Sequence, residues 1–229
     1  MANQQTLSAG SATARSALLA IGVVIGSLGS AGLGFWHRNY EPGQPVPYAT
    51  FSRIHEAWWA WHLFGGLANT LMAVTAAIAV CMLAPRRGAA WATVGATAIL
   101  LGGLFFGAGV AAEGAAMGYA GDPHALPRQA GAALLKHIND HPERYVAAII
   151  PGLILSTLGL LLISVALWRA RSVPRWVPIA LFAGTVLDFA APISIGWIAG
   201  LPQVVGTIAI GWYVWVRRGE GSGAGLSDA

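Results

Sequence analysis

The sequence predicts an all-α, polytopic membrane helix bundle of about six transmembrane helices with both termini cytoplasmic, and three observations carry that reading. Of 229 residues, 56% are hydrophobic and only 10% charged, where a soluble domain carries about 25% charged residues. Six apolar stretches, at 16–36, 57–84, 89–112, 145–168, 176–191 and 195–216, approach the roughly 20 residues needed to cross a hydrocarbon core of about 30 Å. All ten tryptophans fall near the ends of these stretches, where the amphipathic indole prefers the headgroup level. Such a composition excludes a soluble enzyme, a nucleic-acid binder and a disordered chain. The lipid bilayer is the expected partner, with a second membrane protein or a further copy of the chain as an additional one.

The first span follows a leader with a single base, Arg15. A signal peptide is the alternative, with Gly29, Ser30 and Ala31 as a small-residue cleavage site. Removal of residues 1–31 would leave five helices, but the apolar stretch continues through Phe35 and Trp36. The joints at 85–88 and 169–175 are short and basic, whereas those at 37–56 and 113–144 are longer and mixed in charge. Within the latter, 127–138 reads as a short surface helix: Ala130, Leu134 and Ile138 repeat every four residues, leaving Arg128 and Lys136 toward water. The last hairpin turns tightly around Pro192, Gly196 and Gly200, and the Gly-rich segment 219–229 reads as a flexible cytoplasmic tail. Residues 1–218 therefore make one membrane domain.

Orientation follows from the Lys and Arg excess of cytoplasmic loops. With the N-terminus inside, Arg15, Arg86, Arg87, Arg169, Arg171, Arg175, Arg217 and Arg218 lie inside, against Arg38, Arg53, Arg128, Lys136 and Arg144 outside. The outer bases are opposed by Glu41, Glu56, Glu113, Asp122, Asp140 and Glu143, the inner ones hardly at all.

All six histidines fall outside or at the outer membrane edge. In the run IHEAWWAWHLF at 54–64, His55 and His62 are seven residues apart and share one helix face with Trp59. At 1.5 Å per residue they stand about 10 Å apart, too far to chelate one ion but suited to lining one site. A haem would need axial ligands from facing helices, which leaves only His37 opposite His62. No cofactor is expected, with haem or a metal as the lesser alternative. His137 and His141 have metal-like spacing, but Asn139, Asp140 and Pro142 between and beside them suit a helix end and a new helix start.

A charge at mid-membrane costs about 2.5–3.5 kcal/mol on insertion scales. Glu113, about 36 Å along its helix from Ala89, is expected to emerge at the outer surface. Asp188, twelve residues from Trp176, lies about 18 Å deep, and Gln203 reaches a similar depth from Trp215. Asn69 lies at a neighbouring level. A neutral Asp188 hydrogen-bonded to Gln203 or Asn69 would form a structural polar cluster worth roughly 1 kcal/mol per bond. The functional reading instead joins His55, Glu56, His62 and Asp188 as an outward ligand-binding or proton site. Small-xxx-small spacings at Gly22 and Gly26, Gly103 and Gly107, and Gly114 and Gly118 allow close helix approach. Zinc-protease, nucleophile-elbow, paired-cysteine and phosphate-loop motifs are missing, and Cys81 is the single cysteine.

The segment 113–218 resembles a loosely defined group of uncharacterised multi-pass membrane proteins from high-GC bacteria, through HPERY at 141–145, LWRARSVPRW at 167–176 and the closing WVRR. That resemblance implies no activity and carries over no catalytic residue. The expected function is non-enzymatic, either packing against a membrane partner or binding a small or lipidic ligand from the outer side. A redox or transport protein using the His and acid site is the alternative, and a membrane hydrolase comes third.

Overall fold

The computed structural model describes residues 2–37, 46–191 and 198–217, with the side chains of 2–10 and of His37 left aside. Its described residues form seven helices and no strand: α1 (Ala2–His37), α2 (Tyr48–Leu83), α3 (Ala89–Gly121), α4 (Arg128–Asp140), α5 (Glu143–Ala170), α6 (Trp176–Ala190) and α7 (Leu201–Val216). Four stretches are long and apolar enough to cross a membrane: Ser11–Trp36 within α1, and all of α2, α3 and α5. In lipid the helix satisfies every backbone polar group internally, which is why apolar runs rich in Gly still form continuous helices. The turn around Pro192 and Gly196, the expected span start at 195, Trp197, Arg38, Glu41, Arg218 and the tail 219–229 lie outside the described residues.

The helices close into a ring in chain order. Neighbours are α1–α2, α2–α3, α3–α5, α5–α6, α6–α7 and finally α7–α1, while α2 also touches α5 and α7 across the ring. All three small-residue pairs read from the sequence are seams within this chain, and all face α2. A methyl group on Gly26 would meet the Met72 backbone, one on Gly103 the Ala73 side chain, and one on Gly118 the Trp59 side chain.

Two cores result. One lies toward the proximal end, where Ser16 and Arg217 stand, and includes Val80, Ile99, Ile163, Leu167, Leu181 and Ile210 from five helices. The other, distal core joins Phe51, Trp58, Met117, Ala120 and Leu135 from α2, α3 and α4. It explains why α2 and α3 run beyond their expected limits of 57 and 112. Phe51 and Trp58 bury an amphipathic stripe that hydropathy alone does not detect, and Gly121 lets the Phe51 ring approach. Glu113 thus does not end its helix: α3 continues to Gly121, and the residue is half-buried. Pro151 lies inside α5. Beside it Gly152 packs against the Phe106 backbone, so the lost hydrogen bond of the proline falls beside a close α3 seam.

The amphipathic α4 lies over the distal end. Gly131 and Leu135 are buried, while Leu134 and Ile138 pack beside them and Lys136 pairs with Asp140 on the exposed side. The Lys136 ammonium, hydrogen-bonded to Asp140, holds that carboxyl below its ordinary range.

Candidate functional site

The distal aromatic cluster is built on the 54–64 run of α2. Trp58 and His62 are four residues apart, one helical turn, and their rings stack with centroids 4.5 Å apart. Trp36 from the end of α1 meets both edge-on, at 5.5 Å from Trp58 and 6.0 Å from His62. His62 Nδ1 stands 2.7 Å from the Trp58 carbonyl oxygen; an acceptor there requires the N–H at Nδ1. With 1% of its surface exposed and Gly114 of α3 against its Cβ, His62 is a packed histidine. The group that faces it from α1 is Trp36; the His37 side chain, its expected haem counterpart, lies outside the described residues.

His55 occupies the rim. Its Nδ1 lies 2.8 Å from the Ser52 carbonyl oxygen, so the proton sits at Nδ1 and only a protonated ring has a donor at Nε2. That nitrogen points at Asp122, 4.0 Å away. Asp122 also accepts the His124 backbone N–H at 2.8 Å. Glu56 is exposed beside them. The structure thus pairs His55 with Asp122, a residue the sequence marks only as a loop charge. His137 and His141 come together, with ring centroids 4.6 Å apart, because α4 runs past the expected break to Asp140 and His141 is its C-cap. His141 Nδ1 lies 3.2 Å from Glu143. Among the described residues no three His, Cys, Asp or Glu side chains gather as a metal-binding group.

The expected polar trio is distributed differently. Asn69 is buried and accepts a hydrogen bond from Ser30 of α1 at 3.3 Å. Gln203 lies opposite Gly184, where α6 and α7 approach so closely that an added Cβ would strike the Gln203 backbone. Asp188 is four residues beyond Gly184 and so continues the stripe of buried Leu181 and Gly184 that faces α7. Asp188 itself is exposed, and among the described residues no hydrogen bond joins it to Gln203 or Asn69.

At the proximal end a cavity of about 640 Å³ opens where the chain's joints meet, lined in part by Ser16, Arg86, Arg87, Arg171, Ser172 and Arg217. In the sequence these arginines are orientation signals only. The one hint of more is that two separated joints, 85–88 and 169–175, carry bases without a nearby acid.

The chain matches no curated protein and no solved structure. A family model described as a domain of unknown function, DUF4386, matches residues 13–216, and the chain belongs to that family.

Proposed function

We propose that this is a non-enzymatic plasma-membrane protein, with both termini cytoplasmic, that binds a small or lipidic ligand from the outer side beside the α6–α7 hairpin. The observation that carries the reading is Asp188, an exposed acid on the α7-facing stripe of an otherwise apolar helix. An acid facing hydrocarbon costs about 2.5–3.5 kcal/mol, so its carboxyl faces water or a ligand's cationic or hydrogen-bond-donating group. Helix lengths support access. With 15 and 16 residues, α6 and α7 extend about 22 and 24 Å, short of the roughly 30 Å hydrocarbon core. The neighbouring α5 is longer, at 28 residues. His62 is sealed among aromatic rings and belongs to the scaffold of the distal end, while His55 and Glu56 stand at its rim.

The test is chemical accessibility. Asp188→Cys in a Cys81→Ser background should react with a membrane-impermeant maleimide added to intact cells. Labelling only after denaturation would refute access from the outer side and favour the second reading, a membrane partner seated on the α6 surface. Exposed Leu187 and Phe189 beside Asp188 favour that alternative.

A further inference from the structure

We propose that the proximal cavity binds a phosphate-bearing anion. Four arginines, Arg86, Arg87, Arg171 and Arg217, border one space of about 640 Å³, large enough for a phosphate group with part of the molecule that carries it. The bases come from the α2–α3 joint, the α5–α6 joint and the end of α7, so only the folded ring assembles them. All acids of the described residues, Glu56, Glu113, Asp122, Asp140, Glu143 and Asp188, lie elsewhere, on distal segments or toward the far end of α6. Glu220 and Asp228 lie in the tail outside the described residues.

The arginines have one evident structural duty, because α2, α5 and α7 all end here. A helix C-terminus carries about half a negative charge. Three such ends supply roughly −1.5 against the three full positive charges of Arg86, Arg87 and Arg171 alone, which leaves an excess of about +1.5 for a ligand. Arg175 shows what a base without this surplus does: its guanidinium stacks over Trp168 at 5.3 Å and is not among the cavity's lining residues.

A second observation is independent of charge. Ser172 lines the same cavity, is 8% exposed, and its buried hydroxyl has no hydrogen-bond partner. A buried hydroxyl left unsatisfied is unfavourable, and a phosphate oxygen would accept from it. The preceding Arg171 has a left-handed backbone, φ 53°, and ends α5 in the cap conformation that glycine more often takes. Its N–H still caps α5 through the Leu167 carbonyl at 3.1 Å. That turn places Arg171 and Ser172 side by side at the cavity. Guanidinium pairs with phosphate through two parallel, charge-assisted hydrogen bonds, so phosphate suits the arginines better than a simple halide does.

Two sources can present this chemistry at a membrane face: the headgroup of an anionic phospholipid, or a soluble phosphate compound. Purified full-length protein in phosphatidylglycerol nanodiscs, in phosphatidylcholine nanodiscs, and in detergent with inorganic phosphate separates them. A headgroup ligand should raise the melting temperature by several degrees in phosphatidylglycerol over phosphatidylcholine. A soluble ligand should give saturable phosphate binding by calorimetry. In either arm the response should fall at least tenfold in affinity, or vanish as a melting shift, in Arg86→Gln/Arg171→Gln, weaken in Ser172→Ala, and persist in Arg175→Gln. Ser172→Ala keeps the test valid should the double variant fail to fold. No response in any arm, or an equal response in the Arg86→Gln/Arg171→Gln and Ser172→Ala proteins, would overturn the proposal.

Discussion

The α2–α3 seam makes a close quantitative demand on this fold, and Gly107→Ala tests it. An added Cβ at Gly107 would stand 2.8 Å from the Gly66 carbonyl oxygen and overlap the Thr70 hydroxyl, whereas ordinary contact begins near 3.4 Å. The helices would have to separate by about 0.6 Å, the difference between those distances. Thr70 donates across the seam to the Gly103 carbonyl at 3.0 Å while also bonding Gly66 at 3.0 Å, and the separation stretches the bond between helices. Overpacking a close-fitting site costs about 1–3 kcal/mol. The weakened interhelical hydrogen bond adds roughly 0.6 kcal/mol, and replacing helical glycine by alanine returns about 1 kcal/mol of propensity. The net expectation is a loss of about 0.6–2.6 kcal/mol, with Gly66→Ala behaving alike because its added Cβ meets the Gly107 carbonyl at 2.8 Å. Gly34→Ala is the control: nothing lies within 4 Å of its added Cβ, so it should be neutral or stabilising by up to about 1 kcal/mol. Equilibrium unfolding in mixed detergent micelles measures all three. Equal stability of Gly107→Ala and Gly34→Ala would refute the reasoning that backbone approach, and not average hydrophobicity, holds α2 to α3.

Two other predictions concern the distal end. His62→Ala removes a fully buried ring stacked on Trp58 and met edge-on by Trp36 and should destabilise by about 2–4 kcal/mol, with an altered tryptophan emission; an unchanged unfolding midpoint would show that the ring is not part of the core. For Asp140, the depressed folded-state carboxyl means that its contribution is present above the unfolded carboxyl range near 3.9 and is lost as pH falls through the lower folded value. Lys136→Met should therefore move the Asp140 titration, followed by carboxyl-labelled NMR, to higher pH, while the melting temperature at neutral pH stays within scatter because the pair is exposed. An unmoved titration would remove Lys136 as the cause.

The two readable ends of this molecule were legible to different degrees. Hydropathy finds α1, α2, α3 and α5 because crossing a bilayer constrains any window of about 20 residues, whatever it packs against. It misplaces the distal limits of α2 and α3, since Phe51, Trp58 and Met117 stabilise helix there through contacts between segments, which no single window contains. The residues read as a polar trio show the same limit. Depth arithmetic puts Asn69, Asp188 and Gln203 at similar levels but says nothing of rotation about each axis, and the structure turns Asn69 to Ser30 and places the Gly184 seam against Gln203.

The sequence by itself determined that this chain is a membrane-embedded helical protein, because transfer of apolar residues into hydrocarbon is local and nearly additive. It also showed that α4 is amphipathic and that the arginines gather at helix ends, since periodicity and charge position are properties of the linear chain. Only the tertiary structure decided that α2 touches most of the ring, that three glycine pairs serve seams inside one molecule, and that Arg86, Arg171, Ser172 and Arg217 border one cavity. Those outcomes depend on which helix faces which. That choice is made by backbone approach at glycines and by side-chain shape between residues as far apart as Arg86 and Arg217, and neither leaves a periodic signal in the sequence.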